Sequence, residues 1–533
     1  MMKKTIKKLL AALLAVAMVC AMAIPAFAGT EGDITTWHSF SAFQIFKGKV
    51  EGNDIKDFKI SNVEWGSNID PDNFLPQLKG ADTIGPLFTK ANSAQDVLAV
   101  ISQWNNSDAN SIAFARFVCH YLYPDANAKP KPAVEGGSDH IHFDEAGYYL
   151  VVDTTPFNPG DFDHAYNSFL LMVTHEDWNI PITPKAEKPS VKKEVFDNQD
   201  GTSTGDFGSS ADHAINEKFQ FKLTATLPAS TDHAYDYYDT YAVCFKDTLS
   251  EGITYDGPDS VVIESKGNPG NRYDITDSST IDISKLESQN YFEVNIHDVK
   301  ACAKDAGFDL NDGATITFTY TAHLNEKAYV NIGSGSTENK NSVQLKYSNN
   351  PRPGDYWGTT PKSEVYVFTY QLNNTKLAET ENGTPLPGAV FQLYSDKDCT
   401  QEVKLYKVGN IYYPIKDATD KNKDAVQMIS GQDGQFNVKG LDAGTYYLKE
   451  ITPPSGYSAC ADKEIVISAT HDVNHVSLSG ESNLNNKIIN KKAGGITLPS
   501  TGGIGTTIFY VVGGGLMVAA IVLLVTKKRM ENK

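Results

Sequence analysis

Alternation of apolar and polar positions is the dominant pattern of this chain. Segments 219–227 and 315–320 place every second residue on an apolar face, the signature of a half-buried strand. Segments 41–46 and 147–152 read as strands near the N-terminal end. Segments 191–195 and 341–347 follow in the middle, and 365–372, 389–394, 435–438 and 446–450 lie toward the C-terminus. Helical spacing is confined to 94–121, where Val97, Leu98 and Ile101 and then Phe114, Phe117 and Val118 recur at intervals of three and four. Pro181, Pro184 and Pro189 mark one linker, and Pro351 and Pro353 a second. The expectation is an all-β chain of tandem sandwiches, with some helix in the first region.

The two ends follow a different pattern. Lys3, Lys4, Lys7 and Lys8 precede an apolar stretch over 9–24 and then Ala26-Phe27-Ala28, which predicts a signal peptide over 1–28 cut after Ala28. At the other end Leu498-Pro499-Ser500-Thr501-Gly502 precedes an apolar run over 504–525, and Lys527-Lys528-Arg529 follows. That run is long enough to cross a bilayer as a helix, with the basic cluster on the cytoplasmic side. The predicted organisation is therefore 1–28, 29–186, 187–362, 363–492 and 493–533.

The whole chain carries a net charge of −18. Removing both predicted ends leaves 39 basic against 64 acidic side chains, a net charge of −25. So acidic a surface argues against nucleic acid and anionic lipid as partners. Cys20 leaves with the signal peptide. The remaining Cys119, Cys244, Cys302, Cys399 and Cys460 are odd in number, so at least one lacks an intrachain partner. Cys399 and Cys460 flank one predicted domain and are expected to pair; Cys244 with Cys302 is the weaker pairing. Cys119 sits in an apolar helical pattern and reads as a buried thiol.

Two segments group side chains that bind metals elsewhere. The carboxylates of 197–206 lack a full calcium-ligand loop and read as a solvated turn. His140-Ile141-His142, beside Asp139 and Asp144, reads as a polar strand edge. His38, His120 and His164 complete no ligand set or catalytic triad with them. No cofactor and no metal are predicted, and nothing supports a secreted enzyme.

The terminal pattern resembles the LPxTG cell-wall sorting signal of Gram-positive bacteria. In that family a sortase cysteine attacks the Thr–Gly bond, here Thr501–Gly502, and holds the chain as a thioester until an amine accepts it. A second resemblance lies at 446–457, where Tyr446-Tyr447-Leu448-Lys449-Glu450-Ile451-Thr452-Pro453-Pro454-Ser455-Gly456-Tyr457 is similar to the pilin E-box YxLxETxAPxGY. Ile451 and Pro453 depart from it, and Glu450 is kept. Alternation puts Tyr446, Leu448 and Glu450 on one face, and a carboxylate on a core face is costly unless paired or protonated.

The resemblance implies Cna-type, Ig-like β-sandwiches with side-chain isopeptide bonds. In such a domain a lysine on the opening strand, here Lys376, joins an asparagine on the closing strand, here Asn490, with Glu450 assisting. The chemistry needs these residue types. Burial lowers a lysine's pKa, and the neutral amine is the nucleophile. An acid beside the asparagine polarises its amide, the amine attacks the carbonyl carbon, and ammonia leaves.

Region 187–362 resembles the related fimbrial isopeptide-forming domain. Alternation places Lys193 inward and Lys192 outward, and Asn341 on a face with Val343, Leu345 and Tyr347. Lys193–Asn341 is the expected bond. Asp247 lies in a segment similar to the family's "DtLxxGl" and is the expected assisting acid, against the alternative that it caps a turn.

Trp178-Asn179-Ile180-Pro181-Ile182-Thr183-Pro184-Lys185 resembles the pilin motif WxxxVxVYPK, two residues shorter after the tryptophan. By that resemblance Lys185 is the amine that accepts Thr501 of another copy, and repetition builds a fibre. Ala186 stands where many relatives have asparagine, so no bond is expected in the first domain. The resemblance covers nearly the whole chain. It implies a structural backbone subunit of a covalent pilus on the cell wall, not an enzyme beyond single-turnover self-crosslinking. Its partners would be a class C-type pilin sortase, a housekeeping sortase, other copies of itself, accessory pilins, peptidoglycan and host surface ligands. The competing readings are an accessory base or tip pilin and a monomeric wall-anchored adhesin, neither of which needs Lys185.

Overall fold

The computed structural model describes residues 39–51, 59–104, 108–135, 140–154, 169–173, 178–181, 188–198, 205–231, 233–286, 290–352, 357–480 and 482–493, with isolated positions between 516 and 528. The predicted signal peptide, Lys185 and the stretch Leu498–Gly502 lie outside the described residues. Among the described residues no helix is long and apolar enough to cross a membrane.

The first region combines strands with helices, as expected. Four antiparallel strands run in the order Lys59–Trp65, Phe40–Glu51, Gly147–Asp153 and Phe169–Val173. Helices supply many of the apolar side chains packed with them, and His140–Phe143 pairs with Trp178–Pro181 in a further two-stranded sheet. The predicted helical stretch over 94–121 is broken into Ala94–Ile101 and Ala109–Leu122. Ser102 closes the first and Asp108 opens the second, so polar cap-forming residues interrupt the apolar spacing. The Ser93 hydroxyl accepts from the Asp96 amide and caps the first of the two. A helix over Pro71–Gly80 was not expected. Asp70 caps it, Pro71 opens it, and Phe74 and Leu78 are its buried side chains.

The middle region is a two-sheet sandwich. One sheet orders Arg272–Asp274, Ile253–Ser265, Ala314–Leu324, Lys218–Leu227, Ser190–Asp197 and Asp206–Gly208. The other orders Ile281–Leu286, Tyr291–Ile296, Val243–Leu249, Lys340–Ser348, Ser363–Phe368 and Ser210–Asp212, with Trp357–Thr359 attached to Lys340–Ser348. Along Ala314–Leu324 every second residue is buried, as alternation required.

The strand expected over 365–372 is two strands. Ser363–Phe368 pairs with Lys340–Ser348 and with Ser210–Asp212, and so completes the middle sandwich. Tyr370–Ala378 opens the next one. The division falls at Thr369, six residues or more beyond the position read from the sequence, and the continuous apolar run hid it.

The third region packs the sheet Leu405–Val408, Ile411–Pro414, Val438–Leu441, Tyr370–Ala378, Asn485–Asn490 against the sheet Met428–Ile429, Val390–Tyr394, Gly444–Thr452, Lys463–Ile467. The opening and closing strands run parallel side by side. The middle and third regions meet closely. The Ile215 amide donates to the Gly440 carbonyl at 2.9 Å. Gly440 has φ of +88°, and a Cβ there would lie 2.5 Å from the Ile215 side chain, so only glycine fits this seam.

Candidate functional site

Two buried lysines define two sites. In the middle sandwich Lys193 comes from the Ser190–Asp197 strand. Its side chain is 0% exposed, whereas that of Lys192 is 70% exposed, so alternation chose the inward lysine. Its amine contacts Asp247 Oδ2 and donates to the Tyr320 hydroxyl at 3.1 Å. Asn341 Nδ2 donates to the same hydroxyl at 2.5 Å. Tyr320 in turn faces Asp247 Oδ1 at 3.4 Å. Lys193 and Tyr320 come from one sheet, Asp247 and Asn341 from the other. The cluster therefore spans the sandwich core. All four residues are buried.

Electrostatics follows from that burial. Desolvation pushes the Lys193 amine down to about 8, against the opposing pull of Asp247. Desolvation also raises the Asp247 carboxyl, with Lys193 opposing it, and holds the Tyr320 phenol well above its ordinary value. Burial thus weakens the charged form of both the amine and the acid and eases proton transfer between them. Asn341 Oδ1 has no hydrogen-bond partner, so the amide oxygen is free to take up charge or a proton.

The third sandwich builds the same chemistry differently. Lys376 and Asn490 lie on adjacent parallel strands of one sheet, with Asn490 registered opposite Ala378. The Lys376 amine contacts Asn490 Oδ1. Glu450 reaches across from the facing sheet, 3.4 Å from the Lys376 amine, and accepts from Asn490 Nδ2 at 2.8 Å. Its other oxygen accepts from the Cys460 amide at 2.8 Å. Burial lowers the Lys376 amine below its usual value. The Phe391 ring lies 5.3 Å from that amine and stacks on Phe436, closing the site to water.

The structure thus brings Lys193, Asp247 and Asn341 together, and Lys376, Glu450 and Asn490 together. Tyr320 was missed. The only signal was its inward position on an alternating strand, which a core tyrosine shares. Asp247 caps no turn; it is paired in the core.

The predicted Cys399–Cys460 disulfide is corrected. Cys399 and Cys460 are not joined. Cys399 turns toward Asp462, with φ of +51°. The Cys460 thiol instead faces Lys376 and Glu450, and burial pushes it up to about 11. Cys244 and Cys302 do not pair either. Cys244 is buried in a strand, and Cys302 lies 3.2 Å from the Thr280 hydroxyl. His142 lies in the strand His140–Phe143, 3.2 Å from Asp144.

Residues 371–482 match the SpaA prealbumin-like fold domain, and residues 490–532 match the LPXTG cell wall anchor motif. These matches define a cell-wall-anchored surface protein with a prealbumin-like domain beside its anchor. No curated protein matches the sequence. Among solved structures, the chain is similar to the T6 backbone pilin of Streptococcus pyogenes serotype M6, at 17% identity over 86% of this chain and 97% of that one, with a TM-score of 0.49. It is also similar to the full-length major pilin SpaD of Corynebacterium diphtheriae, at 16% identity, 88% and 96% coverage and a TM-score of 0.45. A third is the C-terminal fragment of the major pilin GBS80 of Streptococcus agalactiae, at 22% identity, 57% and 100% coverage and a TM-score of 0.40.

Proposed function

We propose that this chain is the backbone subunit of a covalent surface pilus, hardened by two self-made isopeptide bonds. The observation that carries this reading is the pair of buried lysines, each on the opening strand of its sandwich and set against a buried asparagine and a buried acid from other strands. A buried lysine is expensive to keep charged and is seldom retained without a partner. Two such lysines in equivalent roles in one chain call for a common purpose.

The step balances simply. In the third sandwich the neutral Lys376 amine attacks Cγ of Asn490. Glu450, near both nitrogens, takes a proton from the attacking amine and delivers it to the departing amide nitrogen. A new C–N bond forms, the old one breaks, and ammonia leaves. In the middle sandwich Asp247 has the role of Glu450. The Tyr320 hydroxyl relays between Asp247 and the leaving nitrogen of Asn341. No cofactor is needed, and each site reacts once.

Polymerisation runs through the anchor. A sortase cleaves between Thr501 and Gly502, and Lys185 of the next subunit accepts the Thr501 carbonyl. Force along the fibre then passes through the crosslinks that tie the opening strand of each sandwich to a strand near its end, rather than unzipping either sheet.

The intact mass of the purified chain tests the crosslinks. A deficit of two ammonia masses is expected, falling to one in Lys193→Ala and in Lys376→Ala. A full calculated mass would remove this reading. Co-expression with a pilin sortase tests the polymer: a ladder on a denaturing gel is expected, and it should vanish in Lys185→Ala. A ladder that survives would reassign the accepting amine. A deficit without any ladder would leave a monomeric wall-anchored protein.

A further inference from the structure

The seam between the middle and third sandwiches holds a group that the crosslinks do not use. His213 follows the Ser210–Asp212 strand and is buried, with its ring stacked on Phe219 at 4.2 Å. Nε2 lies 2.7 Å from the Phe196 carbonyl oxygen. A carbonyl only accepts, so Nε2 carries the hydrogen and the ring is held in one tautomer with Nδ1 turned the other way. Nδ1 has no hydrogen-bond partner. The nearest carboxylate oxygen, Glu217 Oε1, is 3.9 Å away, too far for a hydrogen bond.

A third donor arrives from the other sandwich. Asp442 lies between the Val438–Leu441 and Gly444–Thr452 strands, and its carboxylate, Glu217 and His213 offer ligand atoms within 4.8 Å of one another. Ligands about 2.1 Å from one cation lie roughly 3–4 Å apart, which suits the His213–Glu217 gap. Asn198 stands over both carboxylates, its Nδ2 3.2 Å from Glu217 and 3.4 Å from Asp442. Its Oδ1 is buried without a partner, so a turn of the amide would offer a fourth donor.

We propose that His213, Glu217 and Asp442 form a divalent-cation site that clamps the middle sandwich to the third. An imidazole held by a hydrogen bond from its far nitrogen is the usual posture of a metal-ligating histidine. One imidazole with two carboxylates suits a borderline ion such as Zn2+. Calcium prefers six to eight oxygens, which this donor set does not supply. A cleft of about 610 Å3, lined by Asn198, Glu217, Lys416, Asp442 and Tyr446, opens beside the cluster and gives an entry path. Lys416, 3.7 Å from Glu217 Oε2, neutralises part of the charge when no cation is present. The neighbouring group of Asp197, Asp212 and His471 is different in kind: His471 is satisfied on both nitrogens, by Ser210 and by Asp197.

The test is calorimetric titration of the chelator-treated full chain with ZnCl2, with CaCl2 in a parallel titration. One equivalent of Zn2+ should bind, with calcium far weaker, and Zn2+ should raise the melting temperature. His213→Gln and Asp442→Asn should each weaken binding by about tenfold or more. His471→Gln should leave it intact. The ammonia deficit of each variant serves as the folding control, and Asp442→Asn decides alone should His213→Gln not fold. Absence of saturable Zn2+ binding, undiminished binding by Asp442→Asn, or loss in His471→Gln instead would overturn the proposal.

Discussion

Lys376 and Asn490 stand on adjacent parallel strands, offset by two residues in register, with their side chains in contact inside the third sandwich. They are 114 positions apart in the chain. A bond between them closes nearly the whole sandwich into a loop. For a crosslink around a loop of about 100 residues, the loss of unfolded-chain entropy stabilises by roughly 5 kcal/mol. Lys376→Ala, which also empties a buried position, should lower unfolding free energy by at least about that amount. Denaturant melts of the wild type against the variant check it, with Asn490→Ala giving a similar loss.

The Lys193 amine provides a pH signature once its bond is prevented. In Asn341→Ala, Lys193 remains as a free buried amine at about 8, against 10.5 for the ordinary side chain. Its folded value is depressed, so between these limits the unfolded chain binds more protons than the folded one. Stability therefore rises with pH across that window, by up to about 3 kcal/mol in total, and is flat below it. Melts of Asn341→Ala from pH 7 to 10.5 should show the rise. The double variant with Lys193→Met should lose it; a rise that persists would place its origin elsewhere.

Tyr320 joins the two halves of the middle site, touching Lys193 and Asn341. Removing its hydroxyl keeps the ring and its packing on Phe221. Tyr320→Phe should therefore fold yet crosslink incompletely, and intact mass should resolve two species differing by one ammonia. Asp247→Asn, which removes the acid itself, should give only the uncrosslinked species. Complete crosslinking in Tyr320→Phe would exclude the relay.

The thiols are countable. Cys244, Cys302, Cys399 and Cys460 form no disulfide, so alkylation of the denatured, unreduced chain should modify each of these four. A peptide map should contain no Cys399–Cys460 bridge. In the folded chain Cys399 should react well before Cys460, whose thiol is raised to about 11 and faces the Lys376 site.

Much of this protein was legible without coordinates because the signals are local. A period of two tells inward from outward, and that alone separated Lys193 from Lys192 and put Glu450 on a core face. The sorting motif and the E-box are contiguous strings, so the LPXTG anchor and the third sandwich could be read directly. The acidic balance of the chain between its two predicted ends was arithmetic.

What the tertiary structure decided concerns partners that are distant in sequence. Alternation says that Tyr320 points inward, but not that it lands between Lys193 and Asn341 from the opposite sheet. It cannot divide an unbroken apolar run, so only the pairing of Ser363–Phe368 with Lys340–Ser348 showed which sandwich owns that strand. Flanking positions suggested a Cys399–Cys460 bridge, whereas the fold turns one thiol to Asp462 and the other to Lys376. The meeting of His213 and Glu217 with Asp442 depends on how two sandwiches dock, a relation carried by packing and not by any local pattern. Sequence periodicity determines which face a side chain occupies; only the folded chain determines what it faces.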